Sequence, residues 1–282
     1  MVAASDPAGN PMTTLSYKSI FISDTHLGLR AAKTEYLLDF LKHNECESLY
    51  LVGDIFDVWK MKSGWHWPAV NNEIVRIVLD KARNGTRVTY VPGNHDEIFR
   101  NYLNFHFSGI DVRKEAIHET AQGKRFLILH GDEFDCVVMN NKWLAHLGSG
   151  AYDLLIWLNR WLNVARRRLG FRYWSLSAYL KKQVKEAVKY VGNFEQAVIH
   201  AARERQMDGV ICGHIHHGVI SDFDGITYAN CGDWVESCTA LAEEPDGQLK
   251  LIRWVDESMQ LLDRKESEYA DSDSNGRVVS TS

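Results

Sequence analysis

The 282-residue chain lacks any CxxC pair, and its five cysteines (Cys46, Cys136, Cys212, Cys231 and Cys238) are odd in number. Neither a disulfide framework nor a thiolate zinc site is expected, and reduced thiols in a cytosolic protein fit instead. No run approaches the ~18 apolar residues that a membrane-spanning helix needs. Residues 1–18, MVAASDPAGNPMTTLSYK, contain neither a basic n-region nor an apolar h-region, so a secretory signal is not expected there. No repeat recurs at a fixed period. Basic charge is not in excess: 32 Lys+Arg face 37 Asp+Glu for a net charge of −5, which argues against a nucleic-acid partner.

What is present is the composition of a globular protein, 45% hydrophobic and 24% charged. The length allows one large domain, or one domain carrying a sizeable insertion. Residues 1–16 and 265–282 are polar, small and aperiodic, and read as disordered ends. Between them, strands are predicted at 19–23, 48–53, 87–91, 125–130 and 209–213, with late sheet members at TYAN and KLIRW. Helices are predicted from Thr34 to His43 and from Asn71 to Asn84. Alternation of this kind predicts an α/β sheet protein, with a core over 17–139 and 192–264.

Residues 140–191 break the rhythm and read as consecutive helices. Leu154, Trp157, Leu158, Trp161, Leu162 and Ala165 fall on one apolar stripe. The same stretch holds ten basic side chains against two acidic ones, Asp153 and Glu186, and adds to a chain with nine tryptophans. It is predicted to be a helical insertion. Its basic face is read as a solvated surface, as a lid over an anionic substrate, or as a peripheral membrane surface with Trp and Arg together at the interface.

The residues that follow the predicted strands carry the chemistry. Asp24 and His26 follow the first strand, and Asp54 and Asp57 follow the second in GDIFD. Asn94, His95 and Asp96 follow the third in GNHD. The next two strands run into His130, Gly131 and Asp132, and into Gly213, His214 and His216. In open α/β sheets sites gather at the carboxyl ends of strands. Singly, each motif reads as a turn, a helix cap or a satisfied histidine. Five in this order, each at a strand terminus, do not.

The ordered set DxH, GDxxD, GNHD, HGD and GHxH resembles the calcineurin-like metallophosphoesterase superfamily, from about Lys18 to Trp254. The resemblance implies a two-sheet αββα sandwich flanked by helices, with the helical insertion as a lid. FISDTHLG, GDIFDVW, the insertion after HGD, and YANCGDW are similar more narrowly to the UDP-2,3-diacylglucosamine hydrolases of lipid A synthesis. One position departs: those hydrolases usually carry Arg where this chain has His95, and GNHD is the wider superfamily's pattern.

Phosphoester cleavage needs a nucleophile at neutral pH and neutralised phosphoryl oxygens, and two divalent ions about 3.5–4 Å apart supply both. The resemblance implies one ion held by Asp24, His26, Asp54 and His216, and a second by Asp54, Asn94, His130 and His214. Asp54 would bridge, since its two oxygens can face two cations. Two carboxylates against two dications leave net positive charge, which suits a phosphodiester or diphosphate. Imidazole with carboxylate and no sulfur fits Mn, Fe or Zn, and manganese is what the family implies.

His95, beside Asn94, is expected to stabilise the transition state or protonate the leaving oxygen. Its alternative is a structural histidine bonded to a carboxylate such as Asp57. Asp57 and Asp132 either orient ligands or cap turns. His66, His217 and Trp59 line the site or border it. Lys185 and Lys189, with Lys182 on one helical face, are expected together with His95 and His214 to hold a diphosphate or head group. The implied activity is hydrolysis of UDP-2,3-diacylglucosamine to UMP and 2,3-diacylglucosamine 1-phosphate, on the cytoplasmic face of the inner membrane. An esterase for another phosphodiester or nucleotide, and a non-catalytic scaffold, are the rivals.

Overall fold

The computed structural model describes residues 15–135 and 176–256, with backbone alone for 176–187. Residues 1–14 of the predicted N-terminal end, the predicted C-terminal end, the apolar stripe from Leu154 to Ala165 and most of the basic cluster lie outside the described residues. The chain divides into two units, Met1–Asp132 with Ala201–Ser282, and Glu133–His200.

The first unit contains all the strands among the described residues. They are β1 (Leu15–Ile22), β2 (Asn44–Val52), β3 (Arg87–Val91), β4 (His106–Phe107), β5 (Ile110–Val112), β6 (Ala116–Glu119), β7 (Arg125–Ile128), β8 (Gly209–Cys212), β9 (Val219–Phe223), β10 (Ile226–Asn230), β11 (Thr239–Glu243) and β12 (Leu249–Arg253). Helices are α1 (Thr34–His43), α2 (Val58–Ser63), α3 (Ala69–Arg83) and α4 (Leu176–Glu204). The strands form two mixed sheets, ordered β12-β11-β1-β2-β3-β5-β4 and β6-β7-β8-β10-β9. β1 starts at Leu15, inside the stretch expected to be disordered. α4 runs unbroken to Glu204, through the boundary expected at residue 191. No helix among the described residues is long and apolar enough to cross a membrane.

Alternation along the central strands builds both faces of the larger sheet. Ile20 and Ile22, Leu49 and Leu51, and Val88 and Tyr90 turn toward a core shared with Leu37, Phe40 and Leu41 of α1 and Ile74 and Val78 of α3. The intervening Phe21, Val52 and Val91 turn the other way and meet Phe126, Ile128, Ile211 and Ala229 from the smaller sheet. The αββα reading is thus the observed fold. Each such large side chain contributes about 1.5–3 kcal/mol on burial.

Two polar ties pin the layers. Trp254 is fully buried against Phe40, and its indole N–H donates to Asp39 at 2.9 Å. Between the sheets, His118 Nε2 lies 2.7 Å from Glu243 Oε2. Tyr50 OH lies 3.2 Å from His118 Nδ1. Those partners assign the neutral ring with its proton on Nε2, donating to the carboxylate. Burial holds the His118 pKa below its ordinary value, opposed by Glu243.

Candidate metal centre

The parallel run β1-β2-β3 places three loops side by side at its carboxyl end, and β7 and β8 bring two more. Backbone bonds lock neighbouring loops together: Asp24 N donates to Gly53 O at 3.0 Å and His26 N to Asp54 O at 2.9 Å. The loops turn sharply enough that Asp24, His26, Asp54, His214 and His216 all have φ between 45° and 71°. For residues with a Cβ, this left-handed conformation costs about 1–3 kcal/mol each and persists only where surrounding contacts over-determine it.

The glycines of the motifs make room. A Cβ on Gly53 (φ +80°) would sit 2.2 Å from His130 Nδ1, and one on Gly93 would sit 2.3 Å from Asp54 Oδ1. No side chain fits at either point, so the imidazole and the carboxylate lie directly on backbone.

Two groups of potential ligands result. Asp24, His26 and His216 offer atoms within 4.8 Å of one another, and so do Asp54, His130 and His214. Asp54 stands between the groups. Its Oδ2 is 3.9 Å from His26 Nε2 and 3.4 Å from His130 Nε2, while its Oδ1 accepts from the His95 backbone N–H at 2.8 Å. Asp24 Oδ1 is 3.1 Å from His216 Nε2, and its Oδ2 accepts from His214 N at 2.9 Å.

The buried polar atoms test whether cations fit here. Asp24 Oδ1, His26 Nε2, Asn94 Oδ1 and His130 Nε2 are buried with no hydrogen-bond partner. An unpartnered buried donor or acceptor costs about 1–3 kcal/mol, and these four belong to four members of the expected ligand set. His130 Nδ1–H donates to Val52 O at 3.0 Å, which leaves the Nε2 lone pair directed at the Asp54 side. The donor set, imidazoles with carboxylates and one amide oxygen, fits divalent cations.

The electrostatics agree. Burial alone would raise the Asp24 carboxyl, but His216 beside it holds it well below the usual carboxylate range. Asp54 is held down by His130 against the same effect of burial. Burial opposes protonation of the imidazoles, yet Asp54 pushes His130 up to about 10 and Asp24 pushes His216 up to about 9. The two carboxylates draw positive charge into the centre, and a cation binding there must expel protons.

A third group, His26, Asp57 and His95, lies beside the other two. Asp57 Oδ1 accepts from Lys60 N at 2.9 Å, capping α2, and lies 3.1 Å from His95 Nδ1. Its Oδ2 is 3.4 Å from His26 Nδ1. The cap weighed for Asp57 is therefore filled, while His26 Nδ1 beside it makes no hydrogen bond. His95 keeps the carboxylate contact of a structural histidine while its side chain remains 25% exposed. Its pKa is raised: burial opposes this, but the bond to Asp57 outweighs it. Trp59 covers this ring, with centroids 4.4 Å apart. Asp132 turns instead to Arg100, at 2.7 Å.

Asp96 is the residue that motif reading left without a role. Its Oδ2 accepts from Ile55 N at 2.7 Å, Phe56 N at 3.2 Å and Tyr90 OH at 2.5 Å, and its Oδ1 from Gly93 N at 2.6 Å. It ties the GNHD loop to the GDIFD loop. Its position at the end of a glycine turn is the one signal that could have exposed it. Lys189 is exposed on α4, and the Lys185 side chain lies outside the described residues.

The family model described as calcineurin-like phosphoesterase matches residues 17–218. A UDP-2,3-diacylglucosamine hydrolase of Vibrio atlanticus is similar at 26% identity over 239 residues, covering 81% of this chain and 94% of that protein. One from Wigglesworthia glossinidia brevipalpis is 30% identical over 118 residues, 40% of this chain and 46% of its own length. Among solved structures, a phosphoesterase from E. coli is similar at 15% identity with TM-score 0.40, covering 83% of this chain and 98% of that one. The chain belongs to the calcineurin-like phosphoesterase family, and with it to the metal-dependent hydrolases of phosphoester bonds.

Proposed function

We propose that this chain is a two-cation hydrolase of the diphosphate in UDP-2,3-diacylglucosamine, yielding UMP and 2,3-diacylglucosamine 1-phosphate. The observation that carries the chemistry is the set of orphaned atoms around Asp54: Asp24 Oδ1, His26 Nε2, Asn94 Oδ1 and His130 Nε2. The substrate rests on the relatives of that activity, the first of which is matched over 94% of its length. Asp24, His26, Asp54 and His216 would hold one cation, and Asp54, Asn94, His130 and His214 the other, with manganese preferred. Bound divalent cations supply neutralisation of phosphoryl oxygens and acidification of water.

The chain's own residues do the rest. The His95 N–H pins Asp54 Oδ1 so that Oδ2 faces both groups. Asp57 orients the rings of His26 and His95. His95, its pKa raised and its Nδ1 held by Asp57, carries a proton on Nε2 to give to the leaving oxygen. Asn94 contributes beside it without cancelling positive charge. His214, Lys185 and Lys189 hold the diphosphate or head group, and the basic insertion meets the cytoplasmic face of the inner membrane, where the lipid substrate resides.

His95 in place of the hydrolases' arginine favours a second reading, an esterase for another phosphodiester or nucleotide. Purified protein loaded with manganese is assayed on UDP-2,3-diacylglucosamine and on bis-p-nitrophenyl phosphate. Faster turnover of the diacyl substrate, as kcat/KM, supports the first reading. Indifference to that substrate with rapid cleavage of the aryl diester establishes the second.

A further inference from the structure

A cavity of about 400 Å³ lies in the first unit, lined by none of the expected ligands but in part by their chain neighbours Thr25, Leu27 and Ile55. Its floor is one register row of the larger sheet. Ile22 of β1 pairs with Leu51 of β2, Leu51 with Tyr90 of β3, and Tyr90 with Val112 of β5. Its roof is α1 and α3, which contribute among others Leu41 and Val78. Four adjacent strands span three spacings of about 4.8 Å, so the floor is roughly 14 Å long. Spread over that length, the volume implies a width of roughly 6 Å, which fits one extended hydrocarbon chain.

The lining offers nothing to a polar ligand. All of its side chains are aliphatic or phenyl except Thr25, Tyr90 and Tyr102. Thr25 Oγ1 donates to Ile55 O at 2.8 Å and Tyr90 OH donates to Asp96 at 2.5 Å, so both inner hydroxyls are committed elsewhere. Water entering such a space would find none of the two to four polar partners it needs. At the edge-strand end, Tyr102, Phe105 and Phe107 line the cavity while remaining 56%, 55% and 63% exposed, and they form its mouth. The volume falls within the 300–1,000 Å³ range of ligand sites.

We propose that this cavity binds a single saturated acyl chain, entering past Phe105 and Phe107 along the Ile22–Leu51–Tyr90–Val112 row, with its polar end left at the mouth. The proposal goes beyond the catalytic reading and does not depend on it. The chain would come from a free fatty acid or from a lipid that the enzyme meets.

The test uses delipidated full-length protein titrated with dodecanoate below its micellar concentration, followed by calorimetry. The proposal requires one saturable site per chain. Phe107→Glu, at an exposed position on the edge strand, and Val112→Phe, which fills the row, are each expected to weaken binding at least tenfold. Hydrolysis of bis-p-nitrophenyl phosphate is expected to stay at the wild-type rate. If Val112→Phe does not fold, Phe107→Glu decides alone. No binding by the wild type, or equal binding by the folded variants, overturns the proposal and leaves the substrate assay above untouched. The source is then read by inhibition. Dodecanoate competing against UDP-2,3-diacylglucosamine but not against the aryl diester marks the substrate's chain as the occupant, and inhibition of neither marks a separate lipid.

Discussion

Replacing Asp57 with asparagine separates the cap that its carboxylate makes from the ligand-orienting role proposed for it. As the cap of α2, Asp57 Oδ1 accepts from Lys60 N, and asparagine caps about as well as aspartate. The cap by itself should therefore change stability by only a few tenths of a kcal/mol, and the lost charge beside His95 adds to that. The orienting role is lost. If the asparagine carbonyl stays on Lys60 N and His95 Nδ1, its NH2 falls opposite His26 Nδ1, now 3.4 Å from Oδ2. Donation to Nδ1 moves the His26 proton onto Nε2, the atom that lies 3.9 Å from both Asp24 Oδ1 and Asp54 Oδ2. A protonated nitrogen cannot ligate a cation. Loss of such an orienting carboxylate typically costs about 10–100-fold in metal affinity. Isothermal titration with Mn²⁺, beside thermal denaturation of the chelated protein, reads both effects. Asp57→Ala should lose the cap as well, about 1 kcal/mol. A D57N protein that binds Mn²⁺ within twofold of wild type would refute the orienting role.

Asp96→Asn places an NH2 where Oδ1 or Oδ2 now accepts from backbone donors, orphaning either Gly93 N or both Ile55 N and Phe56 N inside the fold. A loss of about 2–4 kcal/mol is expected from the orphaned donors and the loss of charge-assisted bonds, measured by urea denaturation in the presence of chelator. His118 gives a pH dependence. Its folded pKa is depressed below the unfolded value, so the unfolded chain takes the proton first as pH falls. Its contribution is complete above about pH 6.5 and is lost as acidification proceeds below that. His118→Gln should therefore show a shallower fall in stability than wild type between about pH 6.5 and 5. Parallel pH curves for the two proteins would contradict the assignment.

Much of the centre was legible because its residues are short motifs placed where β-branched runs end. A strand of alternating apolar residues can be read from composition, and so can the polar residue that follows it. β3 begins at Arg87 and ends at Val91 as expected, and α1 keeps its expected bounds of Thr34 and His43. β4 and β5, two and three residues long, are too short to carry a pattern. β11 is buried along its whole length and includes Glu243, whose partner His118 is distant in sequence. The left-handed backbone at Asp24, His26, Asp54, His214 and His216 was invisible, because local preference assigns that conformation to glycine. Tertiary bonds impose it here, and with it the convergence of the side chains. Asp57 could not be assigned from sequence because its carboxylate caps α2 and also meets the distant His95. The basic insertion, the other conspicuous feature of the chain, lies mostly outside the described residues.

Anomalous diffraction from crystals soaked in Mn²⁺ addresses the central claim most directly. Two peaks per chain are expected, one beside Asp24 and His216 and the other beside His130 and His214, with Asp54 between them. A single peak, or ions bound elsewhere while these side chains stay unligated, would contradict the account.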